Sequence, residues 1–107
     1  MDYLKQAELS LHYLAESEAE FARLKGLIKL IPERIKVVKA GLVLESDKKT
    51  VAERTMAAEC NNQYELMLDS CEQVYSDYYL IEAKRARANA TIEIYRSVNS
   101  SLKKGNI

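Results

Sequence analysis

The only histidine of the chain lies between two glutamates at helical spacing. Glu8, His12 and Glu16 stand at i, i+4 and i+8, so on a helix they share one face. Carboxylate and imidazole can hold a metal, but helical di-iron sites need Glu-x-x-His motifs on paired helices and further inward carboxylates. Because the chain has one His, we interpret this face as a solvated polar surface and expect no metal and no cofactor.

The two cysteines do not form a redox or metal motif. Cys60 and Cys71 are eleven residues apart, which is about 16 Å along a helix and too far for a disulfide within it. We expect both to be buried as small apolar side chains. Neither a phosphate-binding glycine loop nor a Ser-His-Asp or Cys-His arrangement is visible. The sequence therefore predicts a non-enzymatic protein.

A basic segment near the C-terminus is a candidate nucleic-acid contact. It consists of cations and one aromatic residue, namely Lys84, Arg85, Arg87, Tyr95, Arg96, Lys103 and Lys104. Such a combination can follow a single strand of nucleic acid. The net charge of the whole chain is zero, whereas nucleic-acid-binding domains are usually basic. The alternative is that these cations neutralise an acidic segment of the same chain.

The composition indicates a few long helices. The chain has 107 residues, three Gly and one Pro, with 48% hydrophobic and 30% charged residues. This balance is globular, and the length fits one domain, residues 1–107. So few turn-forming residues argue against a sheet, which needs many turns.

Apolar repeats predict two helical arms, residues 2–44 and 51–103, joined by a tip at residues 45–50. Steps of three and four residues form a coiled-coil seam. In the first arm the seam is Leu4, Ala7, Leu11, Leu14, Glu18, Phe21, Leu24, Ile28, Ile31, Ile35, Val38 and Leu42. In the second it is Cys60, Tyr64, Met67, Cys71, Val74, Tyr78, Ile81, Arg85, Ala88, Ile92, Tyr95, Asn99 and Leu102. The first seam slips by one place after Phe21, which predicts a local overwinding.

Two local signals concern the course of the arms. Pro32 lies inside the first repeat, where a mid-helix proline costs about 3 kcal/mol. The helix either kinks and continues, or stops near Leu30 and restarts. We favour the kinked helix, because Ile31 is a poor N-cap and the seam keeps its phase. At the tip, Thr50 and Glu53 predict a capping box.

The order of charges favours an antiparallel hairpin. Residues 1–24 have a net charge of −3, residues 25–49 of +4, residues 50–82 of −6, and residues 83–107 of +5. Folding the arms against each other places blocks of opposite sign side by side. We therefore predict an all-α protein built as a long antiparallel two-helix hairpin.

Apolar residues beside the seam predict an oligomer or partner surface. They are Leu27, Leu30, Val37 and Leu44 on the first arm, and Leu66, Leu80, Ile94 and Val98 on the second. An exposed stripe of this kind usually marks an interaction surface. We expect a homodimer or higher homo-oligomer, most simply a four-helix bundle of two hairpins. The alternative is a helix supplied by another protein.

The N-terminal residues lack the basic and apolar regions of a signal peptide. No apolar run approaches the ~20 residues of a membrane span. We expect a soluble, cytoplasmic protein without a membrane partner.

Three stretches carry a resemblance to a known group of proteins. They are Ser46-x-x-x-Thr50-Val-Ala-Glu-Arg54, Ala90-Thr-Ile-Glu-Ile-Tyr-Arg-Ser-Val-Asn99 and Lys103-Lys-Gly-Asn-Ile107. With them the chain resembles small helical proteins of tailed bacteriophages and prophages. The resemblance implies a phage or prophage setting in a bacterial host cell. In that setting the exposed apolar face predicts a non-enzymatic interaction or scaffolding module that presents an extended helical face to a protein partner. The alternative is an accessory factor of phage DNA recombination or replication that contacts single-stranded DNA through the basic C-terminal arm.

Overall fold

The computed structural model describes residues 2–105 and contains three helices in that range. Helix α1 is Tyr3–Glu45, α2 is Val51–Glu59 and α3 is Asn62–Gly105. No strand occurs in residues 2–105, and the all-α prediction is confirmed. Met1, Asn106 and Ile107 lie outside the described residues. The last two residues of the Lys103–Ile107 stretch are therefore not described.

Helix α1 runs through Pro32 without interruption. The Asp2 carboxylate caps its N-terminus by accepting a hydrogen bond of 2.9 Å from the amide of Lys5. On both sides of the proline the same face points inward, since Ile31 is buried and Ile35 is half-buried. This packing offsets the backbone hydrogen bond that the proline removes. Of the two alternatives for Pro32, the structure contains the continuous helix.

The predicted second arm is divided into two helices, which corrects its expected continuity from residue 51. Helix α2 ends at Glu59, and the Cys60 amide closes its last turn on the carbonyl of Met56 at 3.1 Å. Asn61 then caps α3, because its side-chain oxygen accepts from the amide of Gln63 at 2.7 Å. Asparagine competes for backbone groups in this way and favours caps over helix interiors. The paired asparagines, Asn61 and Asn62, were the overlooked signal.

The tip contains half of the predicted capping box. The Thr50 hydroxyl accepts from the Glu53 amide at 3.1 Å. The reciprocal bond, from the Thr50 amide to the Glu53 carboxylate, is not among the hydrogen bonds of residues 2–105. The Arg54 guanidinium adds a second link across the tip by donating to the carbonyl of Lys48 at 2.6 Å. The start of α2 is therefore fixed by one side-chain cap and one arginine.

The inward face of α1 corrects the predicted slip after Phe21. Ser17 is buried and Ser10 is half-buried, whereas the predicted seam residues Leu11 and Glu18 are exposed. With the two serines included, steps of three and four alternate without a break. The inward residues are Ala7, Ser10, Leu14, Ser17, Phe21, Leu24, Ile28, Ile31, Ile35, Val38 and Leu42. No local overwinding is required, because Ser10 and Ser17 take the inward positions that the predicted seam assigns to Leu11 and Glu18.

The chain divides into two compact units. Unit 1 contains the residues up to Ala22 and those from Tyr79 onward; unit 2 is Arg23–Tyr78. Ala7, Ala88 and Ile92 are buried in unit 1. In unit 2, Leu24 has the most complete burial, with 1% of its surface exposed. The single-domain prediction for residues 1–107 stays a prediction.

Within each unit the helical segments pack antiparallel. In unit 1, Leu14 and Ser17 contact Arg85, while Ser10 shares a groove with residues 88 and 91, further along α3. In unit 2, Lys39 contacts Glu59, while Ile31 shares a groove with Cys71. The charges agree, because the α1 segment of unit 1 carries four acids and one base, and its α3 segment six bases and two acids.

Two glycines inside α1 offer a way to stabilise the protein. A Cβ added at Gly26 or Gly41 would meet no atom within 4 Å. Glycine costs a helix interior about 1 kcal/mol relative to alanine. We expect Gly26→Ala and Gly41→Ala each to raise the free energy of unfolding by roughly 1 kcal/mol, measured by urea denaturation followed by circular dichroism. A decrease in either variant would show that the glycine serves a contact.

Candidate functional site

A groove in unit 2, between α1 and α3, is called here the leucine groove. Its volume is about 560 Å³. It is lined by Leu27, Leu30, Ile31, Glu33, Arg34, Val37, Val38, Met67, Ser70, Cys71 and Val74. The lining is mostly aliphatic, with Met, Cys and Ser from α3 and one acid and one base from α1.

The seam explains why the groove lies at this place. Ile31 and Val38 of α1, and Cys71 and Val74 of α3, are inward residues that form its floor. Leu30 and Val37 precede the seam positions by one residue, so they stand at its edge instead of inside it. Their exposed fractions are 51% and 69%. An apolar floor beside protruding apolar side chains is the arrangement of a helix-docking surface.

The structure places three of the eight predicted interface residues together. Leu27, Leu30 and Val37 line the leucine groove. The remaining five do not line it; Leu44, Leu66, Leu80 and Ile94 are exposed and Val98 is half-buried. Three of the four residues predicted on the first arm therefore line one groove. The residues predicted on the second arm lie outside it.

Three polar side chains line the leucine groove, those of Ser70, Glu33 and Arg34. The Ser70 hydroxyl donates to the carbonyl of Leu66 at 3.0 Å, so its proton is already used. Glu33 lies 3.5 Å from the ammonium of Lys36. Arg34 forms no ion pair with any residue of the described range. The rim therefore offers a partner the guanidinium of Arg34 and the carboxylate of Glu33, which already pairs with Lys36.

Arg85 has a structural role in unit 1, and its role as a nucleic-acid contact stays a prediction. Its guanidinium donates to the carbonyl of Leu14 at 2.8 Å and to the hydroxyl of Ser17 at 2.7 Å. It also lies over the ring of Phe21, 4.8 Å from the centroid, within cation–π range. An inward arginine requires such partners, since a desolvated charge is costly. The buried Ser17, which the repeat analysis missed, is one of them.

Lys84 and Arg87 line a second groove in unit 1, called here the Tyr13 groove. Its volume is about 380 Å³, and α1 contributes Leu9, Ser10 and Tyr13. The other predicted nucleic-acid contacts are elsewhere. Tyr95 is half-buried in the seam, Arg96 pairs with Glu93 at 2.6 Å, and Lys103 and Lys104 are exposed in the last turn of α3. Tyr13 was not predicted, since it belongs to the acidic segment of the sequence.

One ion pair links α2 to α1 in unit 2. The ammonium of Lys39 donates to the Glu59 carboxylate at 2.8 Å. This hydrogen bond, and then the Glu59 charge, raise the pKa of Lys39 above its ordinary value of 10.5. Because the pKa is higher in the folded chain, the pairing of protonated Lys39 with Glu59 stabilises the fold. This contribution is fully present below pH 10.5, the ordinary pKa of lysine, and is lost as the pH rises through the higher folded-state pKa. The pair holds the short α2 beside α1 at neutral pH.

The remaining chemical candidates lie on the surface. His12 Nε2 is 2.8 Å from Glu16 Oε1, and both side chains are exposed. In residues 2–105, no cluster of three or more His, Cys, Asp and Glu residues could hold a metal ion. Cys60 is exposed at the end of α2, which corrects its predicted burial, while Cys71 is half-buried; both are free thiols. Among residues 2–105, no helix combines the length and the apolar character needed to cross a membrane.

Comparisons with known proteins give no relative for this chain. No protein-family model matches the sequence, and neither a curated protein nor a solved structure matches it.

Proposed function

We propose that this chain is a non-enzymatic interaction module, a helical hairpin that associates with a second copy of itself through the leucine groove. The observation that carries the proposal is the position of Leu30 and Val37, exposed large apolar residues at the edge of an apolar groove. Antiparallel packing of the arms within each unit supports the hairpin. The phage or prophage setting stays a prediction from the sequence resemblance.

The occupant we infer is a second copy because the surface is self-complementary. A two-fold interface must carry both protruding and recessed parts on one patch. Here Val37 protrudes beside the floor formed by Ile31 and Cys71. The rim has one acid, Glu33, and one base, Arg34, so two copies related by a two-fold axis can pair them reciprocally.

Mass as a function of concentration tests this proposal. We expect sedimentation equilibrium to show reversible association from the 12.2 kDa chain to a dimer, because the groove and its edge bury apolar surface. Protein that stays at 12.2 kDa over the whole soluble range would contradict a second copy as the occupant.

A charge swap provides the matched control for two-fold pairing. Glu33→Arg or Arg34→Glu alone should weaken association by placing like charges across the axis. The double variant, Glu33→Arg with Arg34→Glu, should restore it because the pairs are exchanged. If the loss of association free energy in the double variant equals the sum of the losses in the two single variants, the rim charges do not pair with each other.

A further inference from the structure

We propose that the Tyr13 groove of unit 1 binds one nucleotide of a single-stranded nucleic acid, with its phosphate at Lys84 and Arg87 and its base against Tyr13. This site is separate from the leucine groove and does not depend on association of two copies. It uses two of the cations predicted from the sequence and one aromatic residue that the sequence reasoning did not include.

The Tyr13 groove contains two cations without an ion-pair partner in residues 2–105. Lys84 and Arg87 are one helical turn apart on α3 and both line the groove. In residues 2–105, neither side chain forms an ion pair. On the α1 side, the Glu16 carboxylate is engaged by His12 at 2.8 Å. Two unpaired cations at one groove favour an anion, and a phosphodiester is the anion that basic side chains commonly bind.

Three hydroxyl groups line the same groove, those of Ser10, Tyr13 and Thr91. Tyr13 and Ser10 are half-buried, and within the described part of the chain their hydroxyls have no hydrogen-bond partner. The Thr91 hydroxyl donates to the Arg87 carbonyl at 3.0 Å, which leaves its oxygen as an acceptor. The groove therefore presents four donor side chains, two of them charged, and one acceptor, and a matching ligand is rich in acceptor oxygens.

The Tyr13 groove also has an apolar part. The apolar part of the groove is formed by the Tyr13 ring, Leu9 and the buried Ala88. A planar base can stack on an aromatic ring regardless of sequence, and single strands expose their bases for this contact. A double helix keeps its bases stacked inside. With a volume of about 380 Å³, the groove is at the small end of ligand sites, which fits one nucleotide unit.

Fluorescence anisotropy with a labelled oligothymidylate tests the site. The groove variant, Lys84→Gln with Arg87→Gln, should bind at least tenfold more weakly than the parent. The control, Arg96→Gln with Lys103→Gln, removes the same charge from the same helix outside the groove and should change the Kd less than threefold. Equal weakening of both variants would mean diffuse attraction only, and an absence of parent binding at near-physiological salt would overturn the proposal.

Tyr13 and the base are tested separately. Tyr13→Leu should weaken binding about tenfold, since stacking on one aromatic ring contributes on that scale. Tyr13→Phe keeps the ring, so its Kd should stay within threefold of the parent value. Circular dichroism of Tyr13→Leu checks that its weaker binding does not come from a loss of helix. Thymidine monophosphate should displace the oligonucleotide at concentrations where inorganic phosphate does not. Equal displacement by both would show an anion site without a base.

Discussion

Glutamate at Leu30 and Val37 is expected to abolish association of the chain while leaving its helices intact. Both side chains are exposed in the single chain, at 51% and 69%, so the substitutions leave the seam untouched. In a dimer they would bury four carboxylates against an apolar floor, which is strongly unfavourable without partners. We expect the dissociation constant of the double variant to rise by about 100-fold or more, the scale of central hot-spot residues.

The matched control for these variants is Ile94→Glu. Ile94 has nearly the same exposed fraction as Leu30, 52%, and lies in unit 1 outside the leucine groove. Sedimentation equilibrium should show parent-like association for Ile94→Glu and monomer for the groove variant, with equal helix content by circular dichroism. If Ile94→Glu dissociates the protein equally, association depends on exposed apolar surface in general and the groove is not its site.

Replacing Arg85 by alanine is expected to lower the free energy of unfolding by about 3 kcal/mol. The guanidinium makes two hydrogen bonds, to Leu14 and Ser17, and lies over Phe21. Hydrogen bonds of charged groups contribute about 1.5–3 kcal/mol, and a cation–π contact about 0.5–1 kcal/mol more. Alanine also leaves the buried Ser17 hydroxyl without this donor. Urea denaturation followed by circular dichroism measures the change.

A double-mutant cycle with Ser17→Ala distinguishes the specific contact from a general loss of packing. If the contact operates, the two substitutions should be less than additive by about 1 kcal/mol or more. Arg96→Ala is the control, because Arg96 makes only an exposed pair with Glu93 and should cost less than about 1 kcal/mol. Additivity of Arg85→Ala and Ser17→Ala would contradict the proposed role of the serine.

The sequence determined the helical class and most of the inward faces. Scarcity of glycine and proline excluded a sheet, and the repeat predicted the seam of α3 from Tyr64 to Asn99, where every predicted position is buried or half-buried. Such predictions succeed because helical periodicity is a local property of the chain. The same reasoning failed at Ser10 and Ser17, where the polarity of serine concealed an inward position.

Tertiary structure alone decided which side chains act together. Arg85 and Lys84 are adjacent in sequence, yet one points into the seam and the other lines the Tyr13 groove. Only the antiparallel register shows that Ser17 lies beside Arg85 and that Tyr13 shares a groove with Arg87. In unit 2, antiparallel packing brings Leu27, Leu30 and Val37 of α1 to the same groove as Met67 and Cys71 of α3. Pairing between distant segments depends on packing across helices, and the periodicity of one helix does not encode it.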